Sequence, residues 1–175
     1  MKITLTYDTE TSGFVQKDWP PEHPSQPHLV QLGCVLADET VRELASVDLI
    51  VRPEGYQIPA QAAAVHGITT ELATACGVPL ATALAAAIAR SGRTPSHPGP
   101  ATRHCAMLQA MPIMELPPTA RMLAAGFDKF KPPNLTEAYK FFVSEKGFTG
   151  AHGALADTRA CMAVYRAIQQ WEKAA

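Results

Sequence analysis

Asp8 and Glu10 are the first residues of this chain equipped for chemistry. They fall in the stretch from Leu5 to Phe14, Leu-Thr-Tyr-Asp-Thr-Glu-Thr-Ser-Gly-Phe, entered by a run in which Ile3, Leu5 and Tyr7 alternate with polar residues. That alternation predicts a strand. Side chains along a strand repeat every two residues, so the two acids share the face opposite the apolar one. Their Cβ atoms would stand roughly 7 Å apart. Two carboxylates at that spacing can share a cation, and need compensation once they are even partly buried.

A third acid lies near the other end of the sequence. From Ala154 to Trp171 the positions Asp157, Cys161, Val164, Ile168 and Trp171 step by four, three, four and three, which predicts a helix with all five on one face. Asp157 heads that apolar stripe, where the positive end of the helix dipole or a bound cation could compensate it. His152, five residues earlier in a Gly-containing approach, can lean over the same spot. Asp8, Glu10 and Asp157 are hard oxygen donors with no Cys or clustered His among them, which suits Mg²⁺ or Mn²⁺ and disfavours zinc. Such a site serves phosphodiester hydrolysis, one ion activating the attacking water and a second stabilising the leaving 3′ oxygen. Imidazole titrates near neutrality, so His152 is the candidate general base.

The intervening chain must bring these groups together. Val15 to Pro27 is polar and carries Pro20, Pro21, Pro24 and Pro27, so it reads as a surface loop beside the strand-end acids. His28 to Ala37 and Val41 to Val51 read as an antiparallel hairpin turning at Asp38-Glu39-Thr40. Thr69 or Thr70 caps a short helix through Glu71 to Cys76 that Gly77 ends. Pro79 to Arg90 is an alanine-rich helix expected to bury Leu80, Leu84, Ala87 and Ile88. Cys105 to Met114 is expected as an apolar strand, and Thr119 to Ala125 as a short helix. Pro132-Pro133-Asn134 leads into a helix from Leu135 to Val143 with Leu135, Ala138, Tyr139 and Phe142 as its stripe.

Composition sets the frame. At 175 residues, 47% hydrophobic and 18% charged, the chain fits one globular domain over residues 1–175. It has no membrane-length apolar run and no signal-peptide core, so a cytoplasmic protein without membrane association is expected. Cys34, Cys76, Cys105 and Cys161 form no Cys-x-x-Cys pair and are expected as reduced, buried thiols. Residues 1–80 hold four Lys+Arg against ten Asp+Glu, and residues 81–175 hold eleven against six. The acidic half carries Asp8 and Glu10, and the basic half offers cations for phosphate.

The motifs resemble those of the DEDDh 3′-to-5′ exonucleases, which include proofreading subunits of bacterial DNA polymerase, ribonuclease T and phage-encoded exonucleases. Tyr7-Asp8-Thr9-Glu10-Thr11-Ser12-Gly13-Phe14 matches the first motif of that family, and His152 with Asp157 in His-Gly-Ala-Leu-Ala-Asp matches its last. Val30-Gln31-Leu32-Gly33 and Val65-His66-Gly67-Ile68-Thr69 match two landmarks in between, in the right order. The resemblance implies an α/β, ribonuclease H-like mixed sheet flanked by helices. It implies Asp8, Glu10 and Asp157 as ligands of two Mg²⁺ or Mn²⁺ ions, with His152 as base. Thr11, Ser12, Gly13 and Phe14 would contact the terminal nucleotide. The implied partners are single-stranded DNA or RNA 3′ ends and a polymerase or replication complex. His66 is read as a structural histidine.

One family feature is missing. The acid of the second motif should fall near residues 92–103, which contain no carboxylate, and Phe127-Asp128 lies in the wrong order to replace it. A disrupted strand is expected around residues 91–104, from an internal deletion or frame change or from divergence. Three readings follow: an exonuclease releasing nucleoside monophosphates, a catalytically impaired nucleic-acid-binding or polymerase-associated module, and a phosphohydrolase acting on short oligonucleotides.

Overall fold

The computed structural model describes residues 3–40, 42–91 and 102–174. The chain forms two compact units, one of Met1–Gly99 with His152–Thr158, the other of Pro100–Ala151 with Arg159–Ala175. The expected irregularity at residues 91–104 falls mostly on residues 92–101, which lie outside the described residues.

The first unit is built on an antiparallel sheet in the order β1 (Thr4–Thr11), β2 (Leu29–Ala37), β3 (Glu43–Ile50). The expected hairpin is β2–β3. Asp38 closes its turn by accepting hydrogen bonds from Thr40 N–H (2.9 Å), the Thr40 hydroxyl (2.7 Å) and Arg42 N–H (3.1 Å). Facing pairs Tyr7–Cys34 and Thr9–Leu32 lie on one face of the sheet, and Asp8–Gly33 and Glu10–Gln31 on the other. Helices α1 (Ala60–His66), α2 (Thr70–Cys76) and α3 (Leu80–Ser91) follow. The Thr69 hydroxyl accepts from Leu72 N–H and Gly77 ends α2, as the sequence predicts.

Helix α3 lies over the first face through Ala83, which is fully buried with Leu32, Cys34, Val47 and Val51. The expectation that Leu80, Leu84 and Ile88 are buried is wrong, since all three are exposed. Alanine lets the helix backbone come close to the strands, and the α3 face that meets the sheet is accordingly the alanine face, with Ala86 and Ala87 beside Ala83. Leu5 and Tyr7 on β1, at 37% and 66% exposure, and Ile3 just before it, at 40%, are left uncovered, and β1 is one of the two edge strands of the described sheet.

The second unit is helical: α4 (Ala106–Met114), α5 (Ala120–Ala124), α6 (Leu135–Phe142) and most of α7 (Ala154–Ala174). The strand expected from Cys105 to Met114 is therefore a helix. Ala, Met, Leu and Gln outnumber its one β-branched residue, and Ala106, Ala110, Ile113 and Met114 recur at helical spacing on its packed side. They meet Ala138, Leu135, Tyr139 and Phe142 of α6, the stripe read from sequence, and Val164 and Ile168 of α7. A capping box starts α6: Glu137 N–H donates to Asn134 Oδ1 and Asn134 N–H donates to Glu137 Oε2, each at 2.8 Å. Trp171, expected on the buried face of α7, is 52% exposed. Of the cysteines only Cys34 is buried; Cys76 and Cys105 are exposed and Cys161 is half-buried, so the expected burial holds for one. Among the described residues no helix is long and apolar enough to cross a membrane.

Candidate active site

Asp8 and Glu10 stand on β1, on the sheet face away from α3, and the first turn of α7 lies over that face. Gly33 makes the approach possible. A Cβ built there would stand 2.3 Å from the Ala154 carbonyl carbon and 2.4 Å from its oxygen, so any larger residue would hold the helix off the sheet. The fully buried Thr158 hydroxyl lies within hydrogen-bond reach of the carbonyls of Ala154 (2.7 Å) and Gly33 (3.1 Å). Gln31 supplies the remaining tie. Its Oε1 accepts from Ala154 N–H (3.1 Å), satisfying a helix N-terminal donor, while its Nε2 donates to Asp48 Oδ1 (2.7 Å).

These ties bring Asp157 to Asp8 and Glu10. Each of the three half-buried side chains offers an oxygen, and the three oxygens lie within 4.8 Å of one another. Asp157 Oδ2 accepts from His152 N–H (3.1 Å), whereas Oδ1 is buried without a hydrogen-bond partner. Burial raises the Asp8 carboxyl above its usual range, opposed by the Thr9 N–H and reinforced by Asp157. Burial also pushes Glu10 up to about 6, helped by the charges of Asp8 and Asp157 and opposed by His152. Asp157 is raised by burial, against its bond from His152 and the His152 charge. Three acids that resist ionisation, with one buried oxygen unsatisfied, fit a hard cation. Among the described residues no fourth acid joins them. Asp128 is exposed in an irregular segment of the other unit.

His152 is exposed and sits in the left-handed region at φ 67°, two residues before α7, and its charge acts on both Glu10 and Asp157. The structure thus gathers Asp8, Glu10, His152 and Asp157. Thr11, Ser12, Gly13 and Phe14 follow without a break. The Thr11 hydroxyl donates to Gly13 O (2.8 Å) and the Ser12 hydroxyl accepts from His28 N–H (2.8 Å), so both are engaged with main chain. Gly13 has open space where a side chain would be, and Phe14 is 92% exposed. His66 ends α1; its Nδ1 accepts from Ile68 N–H (3.1 Å), and burial lowers its pKa against a raising contact from the Thr11 backbone. Gln31, Gly33 and Thr158 were not among the expected site residues. The available signal was Gln-x-Gly on the central strand, in register with Glu10 and Asp8.

No protein-family model and no curated protein matches the chain. Its fold is similar to that of 3′-exonuclease structures. E. coli exonuclease I in complex with a dA16 oligonucleotide is 17% identical, with a TM-score of 0.69, over 99% of this chain and 42% of that one. The zinc-bound E. coli exonuclease I–ssDNA complex is 15% identical, with a TM-score of 0.65, over 99% and 42%. Exonuclease I from Methylocaldum szegediense is 18% identical, with a TM-score of 0.65, over 98% and 41%. The chain spans about two-fifths of the length of these structures.

Proposed function

We propose that this chain is a DEDDh-type, metal-dependent 3′-to-5′ exonuclease on a ribonuclease H-like domain, hydrolysing phosphodiester bonds at single-stranded 3′ ends to release nucleoside monophosphates. The observation that carries the reading is the meeting of Asp8, Glu10 and Asp157 oxygens within 4.8 Å, beside His152, in a fold similar to that of exonucleases crystallised with oligonucleotides.

Asp8, Glu10 and Asp157 would hold Mg²⁺ or Mn²⁺, two ions in the full arrangement. When bound there, the metal supplies Lewis-acid stabilisation of the charge that develops on the phosphate and lowers the pKa of water. The protein's own groups do the rest. His152, exposed at the mouth of the site, accepts the proton of the attacking water at a ring nitrogen. Its main chain holds Asp157 through the N–H bond to Oδ2, so base and ligand are fixed by one short segment. The open backbone at Gly13 and the exposed ring of Phe14 receive the terminal nucleotide, and the edge position of β1 leaves room for a strand end.

A second reading has its own support: three acids gather where the family has four, which favours an exonuclease-like nucleic-acid-binding or polymerase-associated module that has lost the chemistry. One assay separates the two. Purified protein is incubated with Mg²⁺ or Mn²⁺ and 5′-labelled single strands of DNA or RNA beside Asp8→Ala. Laddering from the 3′ end that disappears in the variant supports the nuclease; binding without cleavage in both proteins supports the module and refutes the enzyme.

A further inference from the structure

The loop after the acids is built, although it has no core. It leaves the sheet at Ser12 and returns at His28, and these two residues are tied twice: Ser12 N–H donates to His28 O (2.9 Å) and His28 N–H donates to Ser12 Oγ (2.8 Å). The side chain of Gln26 braces the interior. Its Oε1 accepts from Gln16 N–H (3.0 Å), and its Nε2 lies within reach of the carbonyls of Gln16 (2.9 Å), Trp19 (2.9 Å) and Pro20 (3.2 Å). Main-chain turns from Trp19 to Gln16, His23 to Pro20 and Gln26 to His23 complete the frame. No residue from Gly13 to His28 is buried, so polar bonds and prolines, rather than apolar packing, hold the shape.

On this frame Trp19 is 51% exposed, stacked on His23 with ring centroids 4.0 Å apart and planes 15° from parallel. The His23 ring is itself fixed, because its Nδ1 accepts from Ser25 N–H (3.1 Å). A large aromatic surface is thus kept in water and backed by a second ring, in a loop whose ordering cost is already met before any ligand arrives. The charged residues between Ser12 and His28 are Lys17, Asp18 and Glu22, so the loop does not attract phosphate. Stacking is the interaction it offers, and every base has a face that can accept it.

We propose that Trp19, backed by His23, is a stacking platform for an unpaired base of the strand whose 3′ end enters the carboxylate site. This rests on the exonuclease reading, since the loop continues directly from the nucleotide-contacting segment Thr11–Phe14. The contact adds affinity for single strands without base preference and without a phosphate contribution.

The test uses Trp171→Phe, which leaves Trp19 as the sole indole, with EDTA present to prevent cleavage. The probes are oligothymidylate, oligouridylate and an abasic strand, each of about ten nucleotides. Thymidylate, uridylate or both should quench Trp19 emission, the comparison reporting which sugar backbone can present its bases to the ring, and the abasic strand should not. Trp19→Ala should weaken binding of the quenching oligomer by about tenfold, with Trp19→Phe restoring most of it. Because a stacked base releases no counterions, that ratio should be the same at about 50 mM and about 200 mM salt. Strands that bind while Trp19 emission stays unchanged, or an abasic strand that quenches equally, would overturn the platform and leave the exonuclease reading intact. Quenching without cleavage in Mg²⁺ or Mn²⁺ supports the platform and refutes the catalyst. A protein that binds none of the strands in EDTA overturns the platform, and one that also leaves them uncut in Mg²⁺ or Mn²⁺ overturns both.

Discussion

Gly33 and Ala154 touch main chain to main chain, and a methyl group on Gly33 would stand 2.3 Å from the Ala154 carbonyl carbon. Neither side of that contact can rotate away. Gly33→Ala should therefore destabilise the protein by about 3 kcal/mol, the upper end of the usual cost of overpacking. Urea denaturation measures this; a loss below about 0.5 kcal/mol would show that the first turn of α7 is not seated on β2 as described.

The same seating gives Gln31 a measurable role. Gln31→Ala removes the acceptor of Ala154 N–H, which should cost about 1 kcal/mol, as loss of a helix N-terminal partner does. Isothermal titration with Mn²⁺ should also show weaker binding, because Asp157 is positioned by that turn. Unchanged Mn²⁺ affinity would leave Gln31 with a purely structural part.

Burial of the acids, reinforced at Asp8 and Glu10 by neighbouring carboxylates, gives stability a pH dependence of known sign. A carboxyl whose folded pKa is raised favours the folded state below its ordinary value and loses that advantage as pH rises through the folded one. For Glu10 the window runs from 4.5 to about 6. Without metal, Glu10→Gln should be more stable than the parent at neutral pH, by no more than about 1 kcal/mol given solvent screening, and equal to it below the window. Thermal melts in EDTA across that range test it, and a variant less stable at neutral pH contradicts it.

A divalent cation should reverse the penalty. At about a hundred times its dissociation constant, Mn²⁺ should stabilise the protein by about 2.7 kcal/mol at neutral pH. The gain should shrink towards acidic pH, where the carboxyls hold protons that the ion must displace. EDTA should remove the gain and Asp157→Asn should abolish it; a melting temperature indifferent to Mn²⁺ in the parent would exclude the site.

Substitution of His152 should separate chemistry from binding. His152→Asn keeps a residue that tolerates the left-handed backbone, so the Mn²⁺ stabilisation should survive. Cleavage should fall by about a hundredfold to about ten-thousandfold. A loss of less than about tenfold would assign the proton transfer elsewhere.

Much of this arrangement is readable before folding. The pleat places Asp8 beside Glu10, the four-three stepping places Asp157 at the head of α7, and Thr69 and Gly77 mark the ends of α2 because capping is local chemistry. What depends on a partner surface is less readable. Leu80, Leu84 and Ile88 look like the buried face of α3, but close approach to the sheet selects Ala83. The run from Cys105 to Met114 reads as a strand from its apolarity, while its helical period is revealed by what packs against it. Gln31 and Gly33 are visible as a motif, but their purpose needs the helix that lies on them.

Asp8 and Asp157 come from nearly opposite ends of the sequence, and no local segment can preassemble their site. The carboxylate pocket is complete only when β1 and the first turn of α7 have both met at the sheet, a contact of long range in the sequence and entropically slow to close. Partly folded chains therefore lack the pocket, and a bound ion would clasp the two terminal elements together, so metal release and the onset of unfolding should begin at the same place.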